Sequence, residues 1–287
     1  MLHTATVFSS LSASSRAERG ETLDLGEGRA SAIWRNSHDR MRYERTDGHT
    51  FSCYLRGGDG TRRIDAGSIA GWPGALCIMP QGASSEWEIT DNFEFVHLYV
   101  ADDELRRLFS EIFDRDARLM LLSEATFAEA PRLAEILVHL ATATQGGNRL
   151  LAEQAIVSAV EQLFADPRYG GERRPVLRGG LAPVLRRRLV EHIEASLDQT
   201  IMLKELAKLA DLSEFHLQRM FRASCGVSPH DFILNRRIDR ARHMLKGSEP
   251  IAQIASACGF SSQSHLTRIF KAVTGTTPSA YRRAVSG

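Results

Sequence analysis

Apolar residues fall at helical spacing twice in the last third of the chain. Leu217, Met220 and Phe221 stand at i, i+3 and i+4, and so do Leu266, Ile269 and Phe270. Each set therefore buries one side of a helix. The opposite sides are polar and basic: His216, Gln218, Arg219 and Arg222 in the first, His265, Thr267, Arg268 and Lys271 in the second. A serine suited to an N-cap opens each copy, Ser213 and Ser262. Gly226 and Pro229 recur as Gly275 and Pro278 at the same offset of 49 residues, so one helical module is present twice.

A short apolar segment precedes each copy, Leu203 to Leu209 and Ile251 to Ala257. The turns between are Ala210-Asp211-Leu212 and Cys258-Gly259-Phe260-Ser261. Helix, tight turn and helix, with polar and basic residues on the second helix, is the pattern of the helix-turn-helix DNA reader. The residue types suit the major groove. Arginine donates a planar fork to guanine, glutamine donates to and accepts from adenine, and His, Thr and Ser reach base edges or phosphates. Any surface helix carries charge; it is the duplication that separates a reader from an ordinary solvated face.

A third periodic stretch joins the two modules. Ser228 caps it, Pro229 takes the first helical position, Asp231 lies in the first turn and Gly247 ends it after Lys246. Ile233, Ile238, Ala241 and Leu245 supply apolar contacts, while Asn235, Arg236, Arg237, Arg240 and Arg242 are expected mostly exposed. A rod of this kind fixes the spacing of the two reading helices. A further helix, Val184 to Leu197, opens the region, and the Gly-, Pro- and Arg-rich stretch Asp166 to Pro183 before it reads as a linker.

The first half has a different texture. Between Ala30 and Val100 short segments alternate with Gly and Asp turns: Phe51 to Arg56, Ile64 to Ile69, Ala75 to Met79, Ser85 to Ile89 and Phe93 to Val100. Regular short strands predict a sandwich or barrel. Alternation puts Phe93, Phe95, His97 and Tyr99 on one strand face. If that face points inward these four residues line a ligand pocket; otherwise they are an aromatic core. Helices follow over Asp102 to Phe113, Pro131 to Thr144 and Asn148 to Ala165, the last two forming an antiparallel hairpin broken at Gly146-Gly147.

The C-terminal residues resemble the DNA-binding domain of the AraC/XylS family of transcriptional regulators. The resemblance is carried by Leu206-Ala207 with His216-Leu217-Gln218-Arg219-Met220-Phe221, by Pro250 to Ala255, Cys258-Gly259-Phe260, Gly275 to Pro278 and Tyr281-Arg282. It spans about residues 183–284. It implies that the two readers face successive turns of one groove, on the order of 34 Å apart. It also implies a first contact set of Phe215, His216, Gln218 and Arg219 and a second of Ser264, His265, Thr267 and Arg268. Arg222 and Lys271 extend the two sets by position. Two residues depart from the pattern. Asp211 stands where glycine is common and takes left-handed geometry at a cost. Phe215 offers no hydrogen bond, so it touches a thymine methyl or packs. The first half is similar to the cupin-like barrel that often precedes this domain, with Gly74 to Pro80 resembling a barrel turn and strand.

The expected architecture is thus α+β. An N-terminal cupin-like β-barrel with a helical hairpin (1–165) serves sensing or dimerisation, and a linker (166–182) follows. An all-α C-terminal domain (183–287) carries two helix-turn-helix motifs joined by a long helix. Charge agrees with the division. Residues 181–287 carry 16 Lys+Arg against 9 Asp+Glu, net +7, and residues 1–165 carry 16 against 24, net −8. The expected partners are double-stranded DNA, a small-molecule effector, a second copy of the chain through the hairpin, and RNA polymerase if the protein activates. The hairpin equally suits a cover for the barrel, and the barrel a plain dimer scaffold.

Cys53, Cys77, Cys225 and Cys258 show no paired spacing, which points to neither a disulfide framework nor a zinc site and fits a reduced cytoplasm. No signal peptide or membrane span is expected. His38, His49 and His97 are isolated, so no metal, cofactor or catalytic residue is assigned. Two alternatives stay open: a cupin-type metal enzyme, and a DNA-binding protein without sequence preference, whose binding would fall steeply with salt on any DNA.

Overall fold

Strand β8 (Phe93–Val100, FEFVHLYV) is almost continuously apolar, and every one of its residues is buried, as a strand covered on both faces must be. It is central in a six-stranded antiparallel sheet of order β1-β2-β8-β4-β6-β10. The other members are β1 (Glu18–Gly26), β2 (Arg29–Asn36), β4 (His49–Gly57), β6 (Leu76–Met79) and β10 (Ala125–Ala128). A separate three-stranded sheet has β7 (Ser85–Ile89) between β3 (Asp39–Tyr43) and β5 (Thr61–Arg63). This computed structural model describes residues 6–67, 69–172 and 180–285. They form two units: residues 6–112 with 120–172, and residues 113–119 with 180–285.

In the first unit the inner faces of both sheets share one core. Trp34, Tyr54, Phe93 and Phe95 come from the larger sheet, Met41, Tyr43, Trp87 and Ile89 from the smaller. Helix α1 (Thr6–Ala13) adds Val7, Phe8 and Leu11, with Phe8 edge-on to Trp34 and Tyr99 at 5.4 and 5.6 Å. The outer face of the larger sheet is covered by α3 (Pro131–Gln145), which packs on β2, β4 and β8. Helix α4 (Arg149–Ala165) pairs with α3, and Gly147 makes the turn between them at φ +62°. The hydroxyls of Ser31 on β2 and Thr144 on α3 meet at 2.5 Å.

Three expectations change here. The barrel is not closed: among the described residues β1 and β10 are the two edges of an open sheet, and β3, β5 and β7 form a sheet of their own, with one further bridge from Arg62 to Ala70. The strand expected over Ile64 to Ile69 ends instead at Arg63. Beyond it the Ile64 N–H still donates to the Glu86 carbonyl, but the next bond is made by a side chain: the Asp65 carboxylate accepts from the Glu86 N–H and from the Arg63 guanidinium. The expected linker also starts folded, because β11 (Gly170–Glu172) pairs with β9 (Met120–Leu122) and Tyr169 is buried. Its residues 173–179 lie outside the described ones. Helix α2 (Asp102–Phe113) has the expected bounds and is held by buried ion pairs, Arg107 to Glu104 and Arg29 to Glu104.

A polar relay crosses the first unit's core. Trp34 Nε1–H can only donate, so the Tyr99 hydroxyl accepts from it at 2.9 Å and gives its own proton to His97 Nδ1, also at 2.9 Å. This assignment satisfies all three groups and leaves the remaining proton of a neutral imidazole on Nε2. Burial drives the His97 pKa down from 6.5 to about 3, in agreement with a neutral ring.

The second unit has two small cores. Leu189, Ile193, Leu206, Leu217 and Phe221 belong to the first, and Ile254, Phe260, Leu266, Phe270 and Tyr281 to the second. The elements are α5 (Pro183–Ala195), α6 (Leu203–Ala210), α7 (Glu214–Cys225), α8 (Pro229–Met244), α9 (Ile251–Ala257), α10 (Gln263–Thr274) and α11 (Pro278–Val285). Helix α8 serves both cores, with Phe232 in the first and Ile238 and Ala241 in the second. Its arginines are not all free. Arg236 pairs with Glu194, Arg237 donates to the carbonyls of Leu197 and Gln199, and Arg242 pairs with Asp239. Arg240 is exposed. Residues 113–119 join this unit through Arg186, which donates to the Asp114 carbonyl at 2.6 Å and its carboxylate at 2.8 Å.

The two turns differ in how they meet the need for left-handed backbone. Asp211 adopts φ +53° in the first, and Gly259 adopts φ +72° in the second. A Cβ on Gly259 would lie 2.3 Å from the Leu197 carbonyl oxygen and 2.8 Å from the Arg237 guanidinium carbon. Gly259→Ala is therefore expected to cost at least about 1–2 kcal/mol, the left-handed penalty alone. Asp211→Gly, which relieves one strain but frees the unfolded chain, should stay within about 1 kcal/mol of the parent. Urea unfolding followed by helix circular dichroism measures both; a silent Gly259→Ala would contradict the close approach.

The His97 shift has a definite sign in stability. Between pH 6.5 and about 3 the unfolded chain binds a proton that the folded one refuses. The group's contribution is intact above pH 6.5 and is lost as pH falls through that window, by up to about 1.4 kcal/mol per pH unit. Trp34, Trp72 and Trp87 are the chain's three tryptophans and all lie in the first unit, so their fluorescence isolates its unfolding. A urea midpoint that falls from pH 7 to pH 5, and a flatter profile in His97→Phe, is the expected outcome.

Candidate nucleic-acid interface and interior cavity

Helices α7 and α10 are built by the same local rules. The Ser213 hydroxyl accepts from the His216 N–H at 3.3 Å, and the Ser262 hydroxyl from the His265 N–H at 3.1 Å. Gly226 and Gly275 end the helices in left-handed geometry at φ +84° and +73°. Leu217 and Phe221, and Leu266 and Phe270, are fully enclosed. The register of each helix is thus fixed at both ends and along one side, which decides what remains outside.

What remains outside is a pair of polar rows on each helix. On α7, Gln218 and Arg222 form one row and Phe215 and Arg219 the next, all exposed. Phe215 is 77% exposed, so most of its ring stands on this outer face. On α10, Ser264 and Arg268 form one row and Thr267 and Lys271 the other; all but half-buried Thr267 are exposed. The Thr267 hydroxyl donates to the Gln263 carbonyl at 2.9 Å, leaving its methyl and lone pairs outward.

The two histidines sit differently from the other expected contacts. His216 and His265 are half-buried at the margin of each face. His265 Nδ1 lies 3.0 Å from the Ser261 hydroxyl, and its ring stands edge-on to Phe260 at 5.5 Å. It holds the second turn against its helix. Two exposed residues were not anticipated: Glu214 and Gln263, at the first position of each helix and in line with Gln218 and Thr267. The repeat offset and four-residue spacing could have named them. Of the pair, Gln263 can both donate and accept at a base edge, whereas Glu214 can only accept, as from cytosine N4.

In the first unit, the face carrying Phe93, Phe95, His97 and Tyr99 points into the core between the sheets. Phe93 and Phe95 stack at 4.6 Å, and with His97 they line a cavity of about 30 Å³. Tyr99 is held behind His97 by the relay and is not part of the lining. Among the described residues no group of three or more His, Cys, Asp or Glu is placed to hold a metal ion, and no helix is long and apolar enough to cross a membrane.

Comparison with known proteins matches the second unit to the family model described as a helix-turn-helix domain, over residues 206–284. The multiple antibiotic resistance protein MarA of Escherichia coli (strain K12) is 36% identical over 95 residues, covering 33% of this chain and 75% of MarA. The probable transcriptional regulator LumQ of Photobacterium leiognathi is 33% identical over 92 residues, which are 32% of this chain; the match spans only 37% of LumQ. The MmsAB operon regulatory protein of Pseudomonas aeruginosa is 28% identical over 270 residues, covering 88% of this chain and 81% of that protein. With the duplicated module, its caps and turns in place and three quarters of MarA matched, the chain belongs to the AraC/XylS family of helix-turn-helix proteins.

Proposed function

We propose that the protein is a sequence-specific transcriptional regulator that reads two successive major-groove segments, one with α7 and one with α10. The observation that carries this reading is the pair of exposed polar rows, identically capped and set on the two cores that α8 joins. A 16-residue helix of about 24 Å is stiff enough to hold both faces in one register on DNA. Arg219, Arg222, Arg268 and Lys271 bring positive charge to the faces, and the positive ends of α7 and α10 favour nearby phosphates. Phe215 is suited to a thymine methyl.

The first unit is proposed as the controlling half, with residues 1–165 for sensing or dimerisation and 166–182 as linker to the DNA-binding residues 183–287. A small-molecule effector between the sheets would act by preferring one presentation of the DNA-binding halves over another. A second copy of the chain is proposed to dock on the α3–α4 hairpin, where Val138, Leu150, Leu151 and Val157 are exposed apolar residues. Such a protein works in the cytoplasm, on double-stranded DNA, and meets RNA polymerase if it activates.

Two variants separate base reading from phosphate contact. Arg268→Ala is expected to relax preference at one or two base pairs at a cost of about 1–3 kcal/mol, whereas Lys271→Ala should weaken all sequences alike and lower the salt slope by about 1. Binding-site selection followed by titration on selected and random DNA at several salt concentrations reads both. Equal loss on selected and random DNA for Arg268→Ala would remove it from base reading.

The hairpin patch is tested by sedimentation. Leu150 and Val157 share one helical stripe, so Leu150→Glu with Val157→Glu should shift the protein from dimer to monomer while far-ultraviolet circular dichroism stays unchanged. A parent protein that already sediments as a monomer at tens of micromolar would sink this interface.

A further inference from the structure

The cavity between the sheets is lined by the aromatic rings of Phe93, Phe95 and Trp87 and by polar groups that carry no charge, among them Ser52, Tyr54, Thr61 and His97. No Asp, Glu, Lys or Arg lines it. Thr61 is 1% exposed, and among the described residues its hydroxyl oxygen meets no partner in hydrogen-bond geometry. Burial pushes the Tyr54 hydroxyl well above its ordinary pKa, and Thr61 lies close enough to act on it in the opposite direction. A buried hydroxyl left in this way costs about 1–3 kcal/mol unless water or a ligand meets it. The relay from Trp34 through Tyr99 leaves the Nε2–H of a neutral His97 as a fixed donor beside the same space.

We propose that this cavity is the binding site for a small uncharged oxygen-bearing molecule, a short-chain amide, aldehyde, ketone or alcohol, whose oxygen accepts from His97 Nε2–H. The proposal rests on reading the first unit as a sensor and names the chemical class that the sensor takes. Charge decides the class. An ionised carboxylate brought into this space would find no cation to pair with, and burying it unpaired costs several kcal/mol. Arg63, whose guanidinium lies 5.9 Å from the centre of the Trp87 ring, is already bonded to Asp65, Glu124 and Thr126. Size limits the class further, because about 30 Å³ holds only a couple of waters and a ligand of a few heavy atoms must displace them. The Phe93 and Phe95 rings and Trp87 offer its short apolar end a dry surface.

A second hollow marks the rival reading. It is a surface pocket lined by Arg16, Arg35 and Arg56 with Glu18 and Glu94, and it shares Asn36 and Phe93 with the cavity. Glu94 lies 3.4 Å from Arg35 and 3.8 Å from Arg56, so one carboxylate answers two guanidiniums. Both arginines are well exposed, at 60% and 85%, and an anion held there would sit in water rather than in the cavity.

Isosteric pairs that differ only in charge test the proposal. The full-length protein is titrated with propionamide and with sodium propionate, and with the acetamide and acetate pair, to tens of millimolar at constant ionic strength. Tryptophan fluorescence is the readout, since Trp87 lines the cavity. Saturable binding of the amides, at least about tenfold tighter than of the carboxylates, is expected. His97→Phe and the isosteric Thr61→Val should each weaken the amide and narrow that preference. Tighter binding of the carboxylates, lost in Arg35→Gln with Arg56→Gln, would overturn the class in favour of the arginine-rimmed hollow. Failure of every probe to bind would overturn the site. A gel shift on selected DNA with the same preparation tells these results apart from failure of the sensor reading: an amide that binds but leaves DNA affinity unchanged supports the site and removes effector control.

Discussion

Everything the second unit displays depends on burying one stripe on each of two short helices. A helix of 12 residues is marginal on its own, because nucleation costs more than so few turns return. Leu217 and Phe221 hold α7 to the first core, and Leu266 and Phe270 hold α10 to the second. The serine caps and terminal glycines then fix where each helix begins and ends. Rotation of α7 by one residue, about 100°, would put Arg222 toward the core and Phe221 into water. The presentation of the polar rows is thus a by-product of packing. It also explains why α8 carries Phe232 at one end and Ala241 at the other: the two small cores would otherwise be independent, and so would the two reading faces.

The first unit is governed by the opposite condition, polar groups enclosed with apolar ones. Its central strand is buried on both faces, which encloses the His97 ring. Each buried polar group has to be met inside. His97 is met by Tyr99 and Trp34, Arg107 by Glu104, Glu111 and Glu27, and His49 by Asp102 and the Gln81 N–H. Asp102 is correspondingly held down at about pKa 2, the bonds from His49 and Arg106 outweighing its partial burial. The Thr61 hydroxyl, which lines the cavity, meets no such partner among the described residues.

The sequence was legible wherever local chemistry decided the outcome. Ser213, Ser228 and Ser262 cap helices, Pro229 opens one, and Asp102 to Phe113 has its expected bounds. These are rules of one turn of chain. Alternation along Phe93 to Tyr99 also gave the correct shared face. What was not legible depended on partners distant in sequence. Sheet closure is a matter of whether β1 meets β10, and nothing in either strand records that they do not. The three-residue strands β5, β9 and β11 carry too little pattern to show a period. Arg236 and Arg237 looked like solvated charge because Glu194 and the Leu197 carbonyl are some forty residues away. Glu214 and Gln263 were a different case, visible in the spacing but overshadowed by the histidines beside them.

The two units also differ in how much free energy each can bring to regulation. A ligand of four or five heavy atoms binds with at most about 1.5 kcal/mol per atom, and usually far less. Only the difference in its affinity for two arrangements can shift a population, and moving from 1:99 to 99:1 takes about 5.5 kcal/mol. Even at that ceiling, about 6–7.5 kcal/mol, nearly all of the binding energy would have to differ between the two arrangements, so a ligand in a cavity of about 30 Å³ is poorly suited to drive a strongly biased switch by itself. For so small an effector to control the reading faces, the arrangements it chooses between must already be nearly balanced. DNA can supply the rest: several phosphate and base contacts made together outweigh the ligand, so the effector need only decide which near-equal state the DNA then captures.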